Sequence, residues 1–121
     1  MSHIEDGLVK RLRDDLHSLP KEHRVVFVKI LDKIQERAAK GFAKYGIGVD
    51  REDLSPTDWL NHALEEALDL SVYIERICHD ERLPSDIRES IAHLQNDSLT
   101  TAIMMQYYVD IVEGNNNEIT K

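Results

Sequence analysis

The sequence has few of the residues that break helices or cross-link chains: 3 prolines, 5 glycines and one cysteine, Cys78, in 121 residues. One cysteine excludes an intramolecular disulfide and favours a reducing compartment. So few glycines and prolines argue against collagen-like sequence and against a turn-rich β-barrel. The longest apolar stretches, at 25–28 and 102–105, are far below the ~20 residues of a membrane-spanning helix, and no signal-peptide pattern opens the chain. We therefore expect a soluble, cytoplasmic protein.

Several common catalytic and binding motifs are also missing from the sequence. Neither G-x-G-x-x-G nor G-x-x-x-x-G-K-[ST] occurs, which excludes the common glycine-rich phosphate loops. The six histidines share no metal-ligand spacing, so a histidine-rich zinc centre is not expected. Ser71 and Cys78 lie on the apolar side of a predicted helix, which argues against nucleophilic acyl chemistry.

The charge is unevenly distributed along the chain. The net charge is −8, which disfavours bulk nucleic-acid binding because phosphates attract cations. Residues 19–46 carry 7 basic and 3 acidic residues, whereas residues 47–121 carry 16 acidic and 5 basic ones. With 41% hydrophobic and 31% charged residues, the chain predicts a single helical domain over 1–114, followed by a flexible polar tail over 115–121.

Hydrophobic spacing predicts an all-α protein, a helical bundle of about five helices. The run from Val25 to Val28 is also compatible with a strand, but no partner strand is evident. Residues 45–54 have two glycines and no helical period, which predicts a loop, and Ser55-Pro56-Thr57-Asp58 is typical of a capped helix start. The predicted helices are 3–17, 20–45, 56–79, 85–95 and 98–113. The expected core residues are Ile30, Ile34, Leu60, Ala67, Ile74 and Met105.

The third predicted helix carries the residues with most chemistry. At about 100° per residue, one of its faces gathers a set of polar side chains, whereas the opposite face is apolar. The polar set comprises Asp58, His62, Glu65, Glu66, Asp69, Tyr73 and Arg76. Three carboxylates within one helical turn suit Mg²⁺ or Mn²⁺, which prefer oxygen ligands. The alternative is a merely solvated acidic face.

The second predicted helix carries a basic face of Lys29, Lys33, Arg37, Lys40 and Lys44. Such a face could neutralise a polyphosphate or pair with acids of a neighbouring helix. Lys40 and Lys44, together with Arg51 in the following loop, are the candidate substrate-binding cations. The last predicted helix has an apolar stripe wide enough for two buried faces, which predicts a homodimer or a higher homo-oligomer.

Residues 40–77 resemble a known family. The chain is similar there to small bacteriophage proteins of the MazG-like, all-α nucleoside triphosphate pyrophosphohydrolase group. The runs that carry the resemblance are Lys44-Tyr45-Gly46, Asp50-Arg51-Glu52-Asp53-Leu54-Ser55, Asp58-Trp59-Leu60-Asn61-His62-Ala63-Leu64-Glu65-Glu66-Ala67-Leu68-Asp69 and Tyr73-Ile74-Glu75-Arg76.

The resemblance implies Mg²⁺-dependent hydrolysis of a (deoxy)nucleoside triphosphate to the monophosphate and pyrophosphate, in an oligomer located in the host cytoplasm. The family uses an E-E-x-x-E motif on one helix and an E-x-x-D motif on the next. Glu66-x-x-Asp69 matches the second motif, and Glu65-Glu66-x-x-Asp69 fits the first with Asp in place of the last Glu. The resemblance implies that these three residues act as metal ligands and catalytic residues. A second complete motif is missing, because neighbouring helices offer only Asp32, Glu36, Asp110 and Glu113. The alternative is an inactive relative that binds a nucleotide or inhibits a host defence protein.

Overall fold

The structure, a computed structural model, describes residues 3–45, 48–49 and 51–114. Within these ranges all regular secondary structure is helical, which confirms the all-α class. The run from Val25 to Val28 is helical, so the strand alternative is wrong. The helices are α1 (His3–Asp14), α2 (Lys21–Tyr45), α3 (Pro56–Cys78), α4 (Ser85–Ala92) and α5 (Leu94–Val112), with a 3₁₀ turn at Asp15–Ser18 after α1.

The chain divides into two compact units, the first ending at Asp53 and the second beginning at Leu54. In the first unit α1 packs on α2, and Val9, Leu31 and Ala38 are buried between them. Our prediction of a single domain over 1–114 stays a prediction. The predicted flexible tail lies outside the described residues.

The prediction that Ile30 belongs to the core is wrong. Its side chain is 46% exposed, whereas the next residue, Leu31, is 1% exposed. Within the first unit α2 is covered by α1 along one side only, so apolar residues on its other faces keep contact with water. Helical spacing identifies Ile30 as apolar but cannot tell that no helix of this unit covers it.

In the second unit α3 and α5 pack along their length. Gln95 contacts Glu75, and Ser98 contacts Ser71, so residue numbers rise along one helix as they fall along the other. The two helices are therefore antiparallel. Small residues line their contact, which allows the two backbones to approach closely. The buried residues of this contact are Ala67, Ser71, Ile74, Ser98, Ala102 and Val109.

The start of α3 is fixed by the predicted cap. The Asp58 N–H donates to Ser55 Oγ at 3.1 Å, and the Ser55 N–H donates to Asp58 Oδ2 at 2.9 Å. Pro56 occupies the first helical position, where a missing N–H has no cost. These bonds satisfy two backbone donors and hold the pKa of Asp58 below its usual value.

The start of α5 differs from the prediction. The predicted helices 85–95 and 98–113 leave a break at Asn96 and Asp97, but α5 begins at Leu94 and runs through both residues. Ser98, the first residue of the predicted helix, is buried against α3. Of the other expected core residues, Ala67 and Ile74 are buried, whereas Ile34, Leu60 and Met105 are half-buried. Among the described residues, no helix is long and apolar enough to cross a membrane.

Candidate functional site

The candidate site residues of the second unit share one exposed face of α3. His62, Glu65, Glu66, Asp69 and Tyr73 are all exposed to solvent. Their spacing of three or four residues places them on consecutive turns of the same side. We call these five residues the acidic face. The opposite face of α3 is buried against α5. This packing fixes the orientation of α3 and therefore the direction in which the acidic face points.

The three carboxylates of the acidic face have no partner in the part of the chain that the structure describes. No hydrogen bond or ion pair reaches Glu65, Glu66 or Asp69 within residues 3–45, 48–49 and 51–114. Several other acids of the described residues do have partners, among them Glu36, Asp53, Asp58, Glu75, Asp80 and Asp110. An internal salt bridge within these ranges therefore does not account for the acids of the acidic face.

The chemistry of these three carboxylates suits a hard divalent cation, because Mg²⁺ takes oxygen ligands and usually keeps several waters. Within the described ranges, however, no group of three His, Cys, Asp or Glu side chains is placed to hold a metal ion. The side chains of Glu65, Glu66 and Asp69 share a face without converging on one point. Metal binding by these residues stays a prediction.

An aromatic contact lies at the amino-terminal end of the acidic face. The rings of Trp59 and His62 meet edge to face, with centroids 5.9 Å apart and planes at 61°. Trp59 is half-buried and His62 is exposed. Because aromatic pairs prefer this geometry, the contact restricts the rotation of the His62 side chain. It orients the imidazole one turn from Glu66.

The candidate substrate-binding cations belong to the first unit. Lys40 pairs with Glu36 one turn away, at 3.4 Å, and both side chains are largely exposed. Arg51 forms a two-pronged ion pair with Asp53, which lowers the pKa of that carboxyl. Lys44 lies in the last turn of α2. The structure thus describes the cations and the acidic face in different units, and Lys40 and Arg51 each have an acidic partner nearby in sequence.

Sequence reasoning missed the polar network in the connection between α3 and α4. Asp80 accepts hydrogen bonds from the guanidinium and the backbone N–H of Arg82, and it also pairs with Arg76 at 3.5 Å. These contacts lower the pKa of Asp80 to about 2. The arginine two residues after an aspartate was the available signal, since it allows both side-chain and backbone donors to reach one carboxylate.

A second missed feature links α3 to α5. Gln95 Nε2 donates to the Ser71 carbonyl at 3.0 Å and to Glu75 Oε2 at 3.1 Å. His79 contacts the other oxygen of Glu75 at 3.0 Å. The bonds from Gln95 and His79 lower the pKa of Glu75. Glu75 therefore serves the packing of α3 on α5, in contrast to Glu65, Glu66 and Asp69, which have no partner in the described ranges.

Comparison of the chain with protein-family models, with curated proteins and with solved structures found no match.

Proposed function

We propose that the chain is a MazG-like nucleoside triphosphate pyrophosphohydrolase of small bacteriophage type. One observation carries the proposal: Glu66 and Asp69 have the spacing of the family's E-x-x-D motif, and both of them, like Glu65, are exposed and without a partner within the described residues. Like charges at these spacings cost a few tenths of a kcal/mol in a helix. A bound cation is a physical reason for gathering them.

The proposed reaction splits a (deoxy)nucleoside triphosphate into the monophosphate and pyrophosphate. Water attacks the α-phosphorus, and the bond from that phosphorus to the bridging α–β oxygen breaks. When bound, Mg²⁺ or Mn²⁺ would supply positive charge that neutralises the phosphate oxygens. Glu65, Glu66 and Asp69 would hold that ion, and a glutamate oxygen not bound to it would accept the proton of the attacking water.

The remaining candidate residues would bind the substrate. Lys40, Lys44 and Arg51 are the candidate cations that would offset phosphate charge, as cationic side chains do in other phosphoryl transfers. Arg51 must first exchange Asp53 for phosphate, because the two side chains are paired without substrate. His62 and Tyr73 lie on either side of the carboxylates along α3, where they can donate hydrogen bonds to the substrate.

The test is release of pyrophosphate from a panel of (d)NTPs in the presence of Mg²⁺. We expect turnover by the wild type and at least about a hundredfold loss in Glu66→Gln, equal to about 2.7 kcal/mol of transition-state stabilisation. Glu89→Gln is the matched control, because Glu89 is an exposed acid of α4. Turnover that survives in Glu66→Gln would contradict the assignment of this residue.

A second candidate function rests on the missing second acidic motif. Without four carboxylates from two helices, the chain would bind a nucleotide or a host protein but not hydrolyse the nucleotide. Equilibrium dialysis with Mg²⁺ and a labelled (d)NTP distinguishes the two functions. Binding without pyrophosphate release supports nucleotide binding alone, whereas absence of both supports a role on a host protein.

We further propose that the active form is a homodimer or a higher homo-oligomer. The outer side of α5 exposes several large apolar side chains, including Ile103 at 67%. Surfaces of this kind mark interaction sites in proteins.

A further inference from the structure

A groove of about 490 Å³ lies among α3, α4 and α5. Five of its eight lining residues are leucine or isoleucine: Leu70, Ile74, Ile77, Ile91 and Leu94. Two of these lining residues are largely open to water, since Leu70 is 50% exposed and Leu94 is 54% exposed. Contiguous exposed apolar surface is typical of an interaction site.

The shape of the groove fits a helix. Leu70, Ile74 and Ile77 recur at helical spacing along its α3 edge, and Leu94 and Thr101 line its α5 edge. From Leu70 to Ile77 the edge rises about 10 Å, which is two helical turns. Because α3 and α5 are antiparallel neighbours, a third helix can pack in the groove between them. Its side chains would then lie between the side chains of α3 and α5.

The unit that contains the groove is acidic, which favours a cationic partner. Residues 54–114 contain 12 acidic residues, 3 arginines and no lysine. All three arginines are engaged in the α3–α4 connection: Arg76 and Arg82 bind Asp80, and Arg88 donates to the Leu83 carbonyl at 3.1 Å. Asp97 itself lines the groove. The negative potential attracts a basic partner and repels an anionic lipid surface.

We propose that this groove binds an amphipathic α-helix of a partner protein, with its apolar stripe against Leu70, Ile77 and Leu94 and with lysine or arginine on its flanks. The groove residues do not include Glu65, Glu66 or Asp69. The inference is therefore independent of nucleotide hydrolysis and holds for an active or an inactive chain.

The experiment uses the full chain and two labelled peptides of about 18 residues, five helical turns. One peptide is built from leucine and lysine at helical spacing, and in the other every lysine is replaced by glutamate. We expect fluorescence anisotropy to show micromolar binding of the lysine peptide, at least about tenfold tighter than binding of the glutamate peptide. The lysine peptide should bind more weakly as salt is added.

Groove variants separate this binding from general attraction between opposite charges. Leu70→Ser and Leu94→Ser should each weaken binding of the lysine peptide at least about fivefold. Val72→Ser is the matched control, because Val72 is an exposed apolar residue of α3, at 66%, that does not line the groove. It should bind as the wild type does. Circular dichroism verifies that each variant keeps its helices.

Four results would overturn the proposal. They are absence of lysine-peptide binding, equal binding of both peptides, equal loss in Val72→Ser and Leu94→Ser, and wild-type affinity in both groove variants. Sedimentation of the wild type and of Leu94→Ser can give a fifth contradicting result. If Leu94→Ser dissociates an oligomer of the wild type, the groove holds a second copy of this chain and not a partner helix.

Discussion

Ser71 Oγ of α3 lies 2.7 Å from Ser98 Oγ of α5, and both residues are buried. Each hydroxyl also lies 2.9 Å from a backbone carbonyl of its own helix, of Ala67 and Gln95 respectively. The two hydroxyls have two protons between them for these three contacts. One serine therefore donates its proton to the other hydroxyl, and that second serine donates to the carbonyl of its own helix. The pair thereby fixes the register of α3 against α5 and leaves no buried hydroxyl without a partner.

Substitutions at Ser71 should distinguish hydrogen bonding from packing. We expect Ser71→Ala to lower the free energy of unfolding by about 1 kcal/mol or less, because Ser98 can still donate to the Gln95 carbonyl. Ser71→Leu should cost more, about 1–3 kcal/mol, since a larger side chain forces the two helices apart. Urea unfolding measures both values. An equal cost for the two variants would contradict the close approach of α3 and α5.

The same contact shows how far the sequence can predict this fold. Helical spacing and the cap at Ser55 predict α3 well, because both signals are local. Asn96 and Asp97 suggested a helix break, yet α5 continues through them because the buried contact of Ser98 with α3 outweighs their weak helix propensity. Tertiary contacts of this kind leave no local pattern in the sequence.

The candidate site likewise combines features that the sequence predicts with features that it does not. The shared face of Glu65, Glu66 and Asp69 follows from helical periodicity, so the sequence predicts it. The ion pair of Arg51 with Asp53 depends on loop conformation, which periodicity does not determine. The sequence therefore identified Arg51 as a cation but could not show that a neighbouring carboxylate already binds it.

The capping box should contribute measurably to stability. Replacing Ser55 by alanine removes the acceptor of the Asp58 N–H and should cost about 1 kcal/mol. Ser55→Asp keeps a side-chain acceptor at the cap and should restore most of that loss. Thermal unfolding of the two variants and the wild type tests the prediction. Equal melting temperatures for Ser55→Ala and the wild type would show that α3 does not depend on its cap.

Asp80 should make stability depend on acidity. Its pKa in the folded chain is about 2, below its ordinary value of 3.8, because Arg82 and Arg76 bind the ionised form. A carboxyl whose pKa is lowered by folding stabilises the fold above its unfolded pKa, and this contribution is lost as the pH falls through its folded pKa. Stability from this source should therefore be present above about pH 4 and decline from there toward pH 2.

Asp80→Asn removes this titration and is the direct check. We expect the melting temperature of Asp80→Asn to fall less steeply than that of the wild type as the pH is lowered from about 4 toward 2. Glu81→Gln is the control, because this neighbouring acid is exposed and has no partner among the described residues. If Asp80→Asn and the wild type lose stability in parallel, the arginine contacts of Asp80 are not formed in solution.

Self-association through α5 is expected at micromolar concentration. Ile103→Lys places a charge on the most exposed apolar position of that helix and should convert the dimer to the 14.0 kDa monomer. Val25→Lys, at an exposed apolar position of α2, should leave the dimer intact. Analytical ultracentrifugation of the three proteins measures the result. A wild type that sediments only as the monomer across this range would contradict the proposal.

The last prediction concerns the acidic face itself. A ligand that binds only the folded chain raises its stability by mass action, so Mg²⁺ or Mn²⁺ should raise the melting temperature of the wild type. Asp69→Asn should abolish this shift, because it removes a charged ligand while keeping the shape of the side chain. Without metal the same variant should be as stable as the wild type or slightly more stable, since it relieves repulsion with Glu65 and Glu66. Glu89→Gln should retain the full metal-dependent shift. A wild type that does not respond to metal, together with an Asp69→Asn variant that unfolds easily, would mean that these acids bind a partner side chain and would leave the hydrolase proposal without its metal site.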